Sequence, residues 1–294
     1  MSEPGFADAV EPPPHAVVQA NVAAALAEDL GGGDVTAALL PDAEDIAYLL
    51  CKQDAVIAGR PWFDACHQAL DPRVRIDWRV HEGERVRAGT VLATLAGRSR
   101  ALVSAERSAL NFLQTLSGTA TVTAAFVDAV RGTRAKILDT RKTLPGLRLA
   151  QKYAVRAGGG VNHRIGLHDA VMLKENHIRA FGSVAAAIRA ARTAQPLLPL
   201  IVEVETLVQL QEALEAGCKR ILIDDFDADA RREAVKIADG RIPLEVSGSV
   251  DLARVRAIAE DGVDCISIGA LTKHVQAIDL SMKLGPVPAQ YDGP

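Results

Sequence analysis

Residues 200–225, LIVEVETLVQLQEALEAGCKRILIDD, decide the fold class of this chain. The stretch opens with a β-branched run (200–205), continues with an amphipathic segment (207–216) and closes with a second apolar run (220–225). Apolar spacing that changes from two to about 3.6 residues and back predicts a strand, a helix and a strand. A helix between successive strands makes them parallel through a right-handed crossover. The stretch therefore predicts one βαβ unit.

The same two-part pattern extends over residues 135–273. Strands are predicted at residues 135–139, 170–174, 200–205, 220–225, 243–247 and 265–269. Helices are predicted between the later strands, at residues 183–194, 207–216, 228–238 and 252–261. No Gly-x-Gly-x-x-Gly motif follows the first strand, which disfavours a dinucleotide-binding sheet. The repeated units favour a closed or nearly closed α/β barrel, in which the active site lies at the C-terminal ends of the strands.

The N-terminal part of the chain has a different organisation. Residues 1–15 are proline-rich and predict a mobile tail, and residues 16–30 predict a helix that stops at three glycines. Residues 46–97 predict short strands punctuated by glycine. We therefore expect an N-terminal α+β sandwich domain over residues 16–115, a barrel domain over residues 116–274, and a C-terminal segment, residues 275–294, that packs back on the N-terminal domain.

Residues 81–93 resemble the hairpin of a biotinyl or lipoyl carrier module. Such modules attach their prosthetic group to a lysine, but Lys52 is the only lysine that precedes Lys136. We therefore interpret this stretch as a structural hairpin.

Composition excludes several classes of protein. The 294 residues are 49% hydrophobic, which is incompatible with a disordered chain. Lys and Arg total 33 against 37 Asp and Glu, a net charge of −4, so nucleic acid is not an expected partner. No apolar stretch is long enough to cross a bilayer, and no secretory signal is visible at the N-terminus. Four widely spaced cysteines fit reduced thiols, and we expect a cytoplasmic protein without a membrane partner.

Charged residues are segregated along the predicted strand ends. Residues 134–179 contain ten Lys and Arg against three acidic residues, which indicates a site for a small polyanion. Glu203 and Asp224 lie within apolar strands, where a carboxylate needs an ion pair, a metal ion or a substrate hydroxyl. Glu205 lies on the same face of its strand as Glu203, so the pattern does not choose between them. Small residues at the last two strand ends are typical of a phosphate cup.

Several motifs resemble the quinolinate phosphoribosyltransferase family. The most specific are GGGVNHRIGL (158–167) and LKENH (173–177), accompanied by LDTRKT (138–143) and VEVE (202–205). The stretches ERSAL (106–110), IDDF (223–226) and IGALT (268–272) add to the resemblance. It implies a type II phosphoribosyltransferase, with an N-terminal sandwich domain and an open α/β barrel of about six parallel strands. It also implies a Mg²⁺-dependent reaction of quinolinate with phosphoribosyl pyrophosphate, giving nicotinate mononucleotide, pyrophosphate and CO₂ for NAD biosynthesis.

The resemblance assigns roles to individual residues. It implies catalytic roles for Lys142, Lys174, Glu203 and Asp224, the two carboxylates also holding Mg²⁺ and ribose. Binding of quinolinate and pyrophosphate is implied for Thr140, Arg141, Lys142, His163, Arg164 and Lys174. Binding of the 5′-phosphate is implied for Ser247, Gly248, Ser249, Ile268, Gly269 and Ala270. The family's homodimer, which can associate further, implies that Arg107 reaches the neighbouring active site.

Some questions stay open at the level of sequence. His163 either binds substrate or transfers a proton, and Asp225 and Ser249 depart mildly from the residues expected there. Nicotinate phosphoribosyltransferase is a competing hypothesis, although a single substrate carboxylate needs fewer cations. A barrel enzyme for another sugar phosphate would not explain the NHR and KENH clusters. A carrier or polyanion-binding module would not explain Glu203 and Asp224.

Overall fold

The computed structural model describes residues 10–291, which form two compact units. Unit 1 comprises residues 10–124, Leu144–Gly159 and residues 274–291. Unit 2 comprises Ala125–Thr143 and Gly160–Lys273. Most of the predicted N-terminal tail lies outside the described residues, and the first helix begins at His15.

The elements follow one another in a simple order. The helices are α1 (His15–Leu30), α2 (Arg60–Leu70), α3 (Ser99–Ala129), α4 (Arg148–Ala157), α5 (Glu175–Phe181), α6 (Val184–Ala194), α7 (Leu207–Glu215), α8 (Ala228–Ala238), α9 (Val255–Glu260) and α10 (Ala270–Lys273). The strands are β1 (Glu44–Cys51), β2 (Ala55–Val56), β3 (Arg75–Trp78), β4 (Arg85–Val86), β5 (Val91–Arg98), β6 (Lys136–Leu138), β7 (Val171–Leu173), β8 (Leu200–Val204), β9 (Ile221–Asp224), β10 (Leu244–Ser247), β11 (Cys265–Ser267) and β12 (Leu280–Leu284). A 3₁₀ turn covers Ala37–Leu39.

Unit 1 contains an antiparallel sheet in the order β12-β1-β5-β3. The C-terminal strand β12 pairs along β1, with Leu49 opposite Met282. The sheet packs with helices around fully buried side chains that include Leu49, Trp62 and Phe63. Residues 81–93 do not form the predicted hairpin, because β4 pairs with β2 while β5 pairs with β1 and β3. Short strands of similar composition leave their partners undetermined by local sequence.

The division into units differs from the predicted boundary at residue 115, which falls inside the continuous helix α3. Unit 1 keeps α3 as far as Ala124 and also takes α4. The reason is the core, since Leu113 and Leu116 of α3 and Tyr153 of α4 belong to the same buried cluster as the N-terminal sheet. A continuous helix carries no sequence mark where one core ends.

Unit 2 contains six parallel strands in the order β6-β11-β10-β9-β8-β7. Within the described part of the chain, no strand pairing joins β6 to β7, so the barrel is open between its first two strands. The predicted fold class, an open α/β barrel of six parallel strands with an N-terminal α+β domain, is confirmed. A single bridge lies on the free edge of β6, where Val161 donates to the carbonyl of Ile137 at 2.8 Å. This bridge holds residues 161–163 beside the end of β6.

The strand register determines which side chains share the inner face of the barrel. Glu203 of β8 is level with Leu222 of β9, which is level with Glu245 of β10. Two residues further along each strand, Asp224 is level with Ser247. Because alternate residues of a strand point to opposite faces, these side chains share the interior. No helix within residues 10–291 is both long enough and apolar enough to cross a membrane.

Candidate active site

A cavity of about 330 Å³ opens in unit 2 where the parallel strands end. Twelve residues line it: Thr140, Arg141, Lys142, His163, Arg164, Met172, Lys174, Glu203, Leu222, Glu245, Ser247 and Ser267. Eight of them are residues that the sequence predicted as site residues. The lining combines four permanent cations with two buried carboxylates, which is typical of a site for a charged substrate.

Arg164 is held rigidly on the cation side of the cavity. Its guanidinium donates to the carbonyl of Ala170 at 3.0 Å and lies 3.7 Å from the sulfur of Met172. Burial lowers the pKa of Arg164, and the neighbouring charge of Arg141 lowers it further. Bringing an anion between two such cations would relieve their mutual repulsion. The geometry therefore favours a ligand with at least one carboxylate or phosphate here.

Lys142 is exposed at the end of β6, but its backbone is fixed. Its N–H donates to Thr140 Oγ1 at 3.0 Å, and its carbonyl accepts a bond from Thr272 at 2.8 Å. The lysine side chain crosses Gly269, where an added Cβ would lie only 2.9 Å from the lysine Cδ. Glycine at this position thus leaves a path for Lys142 into the site.

Glu203 and Lys174 form an ion pair across the cavity. The ammonium Nζ of Lys174 lies 2.5 Å from Glu203 Oε2, and the Glu203 side chain is 9% exposed while that of Lys174 is 46% exposed. Glu205 is exposed and does not line the cavity. Strand periodicity left the two glutamates equivalent, and the structure places Glu203 in the cavity lining and Glu205 outside it.

Asp139 fastens the loop that carries His163. Its carboxylate is fully buried and accepts bonds from the His163 backbone N–H and from the Asn162 side chain, both at 2.7 Å. The Asp139 N–H in turn donates to the carbonyl of Val161 at 3.2 Å. The aspartate of the LDTRKT motif therefore positions the NHR motif.

His163 and Glu245 meet inside the barrel. The backbone N–H of Arg164 donates to His163 Nδ1 at 2.7 Å, and Nε2 lies 3.1 Å from Glu245 Oε1. Arg220 donates to Glu245 Oε2 through Nε at 3.0 Å and through its terminal nitrogen at 2.5 Å, and Ser267 donates to Oε1. Burial by itself would raise the pKa of Glu245, but His163, Arg220 and Ser267 outweigh it and lower that pKa. Glu245 is thus a buried carboxylate that stays ionised.

Seven predicted site residues do not line this cavity. Arg107 is exposed on α3 in unit 1, and Asp224 is half-buried at the end of β9. The other five belong to the predicted phosphate cup: Gly248, Ser249, Ile268, Gly269 and Ala270. At the cup, Gly248 has a positive φ of 127°, and an added Cβ would lie 2.5 Å from Asp225 Oδ1.

Four lining residues were not predicted from the sequence: Met172, Leu222, Glu245 and Ser267. A signal existed for Glu245, which stands in the apolar run LEVS as Glu203 stands in LIVEV. A carboxylate in such a run needs a compensating partner wherever it occurs. Met172, Leu222 and Ser267 carried no comparable signal, because apolar and small residues are ordinary within strands.

The carboxylates of the site are too few to hold Mg²⁺ without further ligands. Within residues 10–291, no group of three or more His, Cys, Asp or Glu side chains could hold a metal ion by itself. Mg²⁺ usually keeps several waters and binds one or two carboxylates together with substrate phosphates. Glu203 and Asp224, on the neighbouring strands β8 and β9, fit that partial role.

Comparison with known proteins decides the family. The family model described as "Quinolinate phosphoribosyl transferase, C-terminal domain" matches residues 119–283, and the corresponding N-terminal domain matches residues 34–117. Together the two matches cover most of the chain. The chain belongs to the quinolinate phosphoribosyl transferase family.

Individual relatives support the family assignment at high coverage. The nicotinate-nucleotide pyrophosphorylase [carboxylating] of Mycobacterium leprae is 45% identical over 271 residues, which cover 88% of this chain and 94% of the relative. A quinolinate phosphoribosyltransferase [decarboxylating] of Nicotiana tabacum is 40% identical, covering 94% of this chain and 85% of the relative. The solved nicotinate-nucleotide pyrophosphorylase of Francisella tularensis is 41% identical with a TM-score of 0.91, and covers 95% of this chain and 100% of that chain.

The two quinolinate phosphoribosyl transferase domains meet within α3. The matches change over between residues 117 and 119, whereas the compact units change over after Ala124. The cavity lies wholly within the part of the chain matched by the C-terminal domain.

Proposed function

We propose that this protein catalyses the reaction of quinolinate with phosphoribosyl pyrophosphate to give nicotinate mononucleotide, pyrophosphate and CO₂, a step of NAD biosynthesis. The observation that carries the proposal is the cavity itself, which is lined by Arg141, Lys142, Arg164 and Lys174 together with the buried carboxylates Glu203 and Glu245. The names of the relatives, nicotinate-nucleotide pyrophosphorylase and quinolinate phosphoribosyltransferase, support it.

Both substrates of this reaction are polyanions, and the cation set suits them. Arg141 and Arg164 offer planar forks that match carboxylates, and the lysines offer point charges that match a pyrophosphate. Quinolinate carries two carboxylates next to each other on a pyridine ring. A substrate with two carboxylates can therefore pair with both arginine forks at once.

The transfer step requires stabilisation of positive charge on the ribose. When the bond to pyrophosphate breaks, positive charge develops at the ribose ring, and a nearby carboxylate stabilises it. Glu203 and Asp224 are proposed for this role, while Lys142 and Lys174 hold the leaving pyrophosphate. The chemistry that Mg²⁺ supplies when bound by these carboxylates and the pyrophosphate is neutralisation of the leaving group's charge.

The pyridine nitrogen attacks with its own lone pair, so the step needs no general base. The new N-glycosidic bond leaves the ring nitrogen positively charged. When CO₂ departs, the electron pair of the broken C–C bond stays on the ring carbon, where the adjacent positive nitrogen stabilises it, and a proton from water then binds that carbon. The residues Ser247, Gly248, Ser249, Ile268, Gly269 and Ala270 are proposed to hold the 5′-phosphate through backbone N–H groups.

The proposal includes a homodimer in the cytoplasm. We propose that Arg107 of one subunit completes the active site of its partner, and that dimers can associate further. All four cysteines are free thiols, of which Cys51, Cys66 and Cys218 are buried. Free thiols suit a reducing compartment, which supports the cytoplasmic location.

Substrate competition tests the function. Purified protein with phosphoribosyl pyrophosphate and Mg²⁺ is expected to convert quinolinate, releasing one CO₂ for each nicotinate mononucleotide. Nicotinate is expected to react at least about a hundredfold less efficiently, because it lacks one of the two carboxylates that the cations of the site would bind. Phthalate, which has both carboxylates but no ring nitrogen, is expected to inhibit without reacting.

The variants Arg141→Ala and Arg164→Ala test how much each arginine contributes to this specificity. Each is expected to raise the KM of quinolinate and to lower the ratio of kcat/KM for quinolinate to kcat/KM for nicotinate. If the unmodified protein converts nicotinate with the same efficiency as quinolinate, the proposed function is wrong and nicotinate phosphoribosyltransferase takes its place.

A further inference from the structure

Glu245 is a buried carboxylate of the barrel that contacts His163, Arg220 and Ser267, and the reaction as described does not use it. Its side chain is 1% exposed and lies at the centre of a row that runs Arg220, Glu245, His163. Arg220 belongs to the turn before β9, at the N-terminal end of the strand, whereas His163 lines the cavity. Glu245 therefore connects the cavity with a cation at the opposite end of the barrel.

The contacts of His163 determine where its proton lies. Its Nδ1 receives the backbone N–H of Arg164, and because that N–H can only donate, Nδ1 must be unprotonated. Nε2 then carries the proton, and this nitrogen lies 3.1 Å from Glu245 Oε1. The imidazole is held between a fixed donor and a fixed acceptor, which leaves one tautomer and one ring orientation.

We propose that Glu245 is a positioning residue for the transfer reaction, holding the His163 imidazole in one tautomer and orientation and, through it, the backbone of Arg164. This inference rests on the proposed function, because the ligand that His163 and Arg164 would face is quinolinate. Arg220 and Ser267 anchor the carboxylate, so His163 is fixed against a rigid group. Asp139 holds the other side of the same loop.

The substitution Glu245→Gln replaces a carboxylate, which only accepts hydrogen bonds, with an amide that has one accepting and one donating end. If the amide oxygen faces His163, the amide NH₂ faces Arg220, and two donors meet. If the oxygen faces Arg220, the NH₂ faces the Nε2 proton of His163. Moving the proton from Nε2 to Nδ1 would avoid that clash but would place it against the backbone N–H of Arg164, so two donors would again meet. Gln at this position therefore disturbs His163, although its size and shape match those of Glu.

The first measurement is NMR of protein labelled with ¹⁵N in histidine, which needs no activity. The His163 resonance is assigned by its loss in His163→Asn. The unmodified protein is expected to show a neutral ring protonated at Nε2, and Glu245→Gln is expected to shift or average that signal. Ser267→Ala, which removes another donor to the same oxygen, is expected to leave the tautomer unchanged. A His163 ring protonated at Nδ1 in the unmodified protein overturns the proposal whether or not Glu245→Gln folds.

The second measurement separates positioning from general structural support. Glu245→Gln is expected to raise the KM of quinolinate by about tenfold or more, with the KM of phosphoribosyl pyrophosphate changed much less. The double variant His163→Asn with Glu245→Gln is expected to resemble His163→Asn alone, because Glu245 acts through the histidine. Additive losses, or an unchanged quinolinate KM in Glu245→Gln, contradict the inference.

Failure of the proposed function looks different. Protein that folds but never converts quinolinate contradicts the proposed function before any variant is made. Protein that converts quinolinate equally well with Glu and with Gln at position 245 contradicts only the inference.

Discussion

Glu203 and Glu205 show how two nearby glutamates are separated by their surroundings. Glu203 lies within β8 and is buried beside Lys174, while Glu205 follows the last residue of β8 and is exposed to solvent. The difference arises because Lys174, at the N-terminus of α5, reaches over the first carboxylate only. The same chemical group therefore acquires a role at one position and none at the other.

This contrast supplies a matched pair of variants. Glu203→Gln is expected to lower kcat by about tenfold or more, because the carboxylate acts on charge that develops in the transition state. Glu205→Gln, two residues further along the chain, is expected to leave kcat unchanged. Steady-state kinetics with titrated Mg²⁺ measures both. Equal kcat in the two variants would return Glu203 to a purely structural ion pair with Lys174.

His67 is a residue whose burial has a consequence for stability. It is fully buried on α2 against Phe63, at 4.8 Å between ring centroids, and within the described residues neither ring nitrogen has a hydrogen-bond partner. Burial lowers the pKa of His67 from 6.5 to about 4. The unfolded chain therefore takes up a proton between pH 6.5 and 4 while the folded protein does not, and stability falls as the pH falls through this range.

The variant His67→Leu is expected to remove this dependence. Relative to the unmodified protein, its free energy of unfolding should increase by about 3 kcal/mol between pH 6.5 and pH 4. Urea denaturation at a series of pH values measures the difference. A difference that stays constant with pH would show that His67 does not carry the effect.

At the scale of elements, the start of α2 depends on a carboxylate from elsewhere in unit 1. Glu82 accepts the N–H of Gly59 at 3.1 Å and of Arg60 at 2.6 Å, so it satisfies two free donors of the helix N-terminus. Gly59 has a positive φ of 114°, which admits glycine and strains other residues. Helix α2 thus begins where a glycine and a distant glutamate meet.

Glu82 also makes this element sensitive to pH. Burial raises its pKa to about 7, although bonds from Arg60, Gly59 and Tyr153 oppose the rise. Because the unfolded chain loses this proton at lower pH than the folded protein, the contribution of Glu82 to stability falls as the pH rises from about 4.5 to 7. Glu82→Gln is expected to abolish this decline, and its unfolding free energy should gain on that of the unmodified protein over the same range. Glu84→Gln, in the same turn, is the control; a pH profile that is the same for Glu82→Gln and for the unmodified protein would contradict the assignment.

At the scale of the whole molecule, the proposed dimer predicts active sites shared between subunits. Arg107→Ala and Lys174→Ala are each expected to be inactive alone. A mixed dimer would hold one site with both residues intact, because the Lys174→Ala subunit still supplies Arg107 to its partner. With equal mixing, half of the dimers are mixed and about a quarter of all sites are intact. Activity after verified subunit exchange measures this, and a mixture that stays inactive would mean that Arg107 serves the site of its own subunit.

The sequence by itself determined the local elements and the chemistry of the motifs. Strand and helix positions in the barrel followed from apolar periodicity, which is a property of neighbouring residues. The cations at 141, 142, 164 and 174 were recognisable because they cluster within residues 134–179 and stand within short sequence motifs. The family motifs could be identified because each is a short, contiguous stretch of the chain.

Only the tertiary structure decided which distant residues meet. It showed that β4 pairs with β2 and that α3 carries one core across the predicted domain boundary. It also brought Glu245 to His163, although 82 positions separate them along the chain. Periodicity gives a residue's side of a strand, but the neighbour across the barrel depends on register and on the packing of every strand between them.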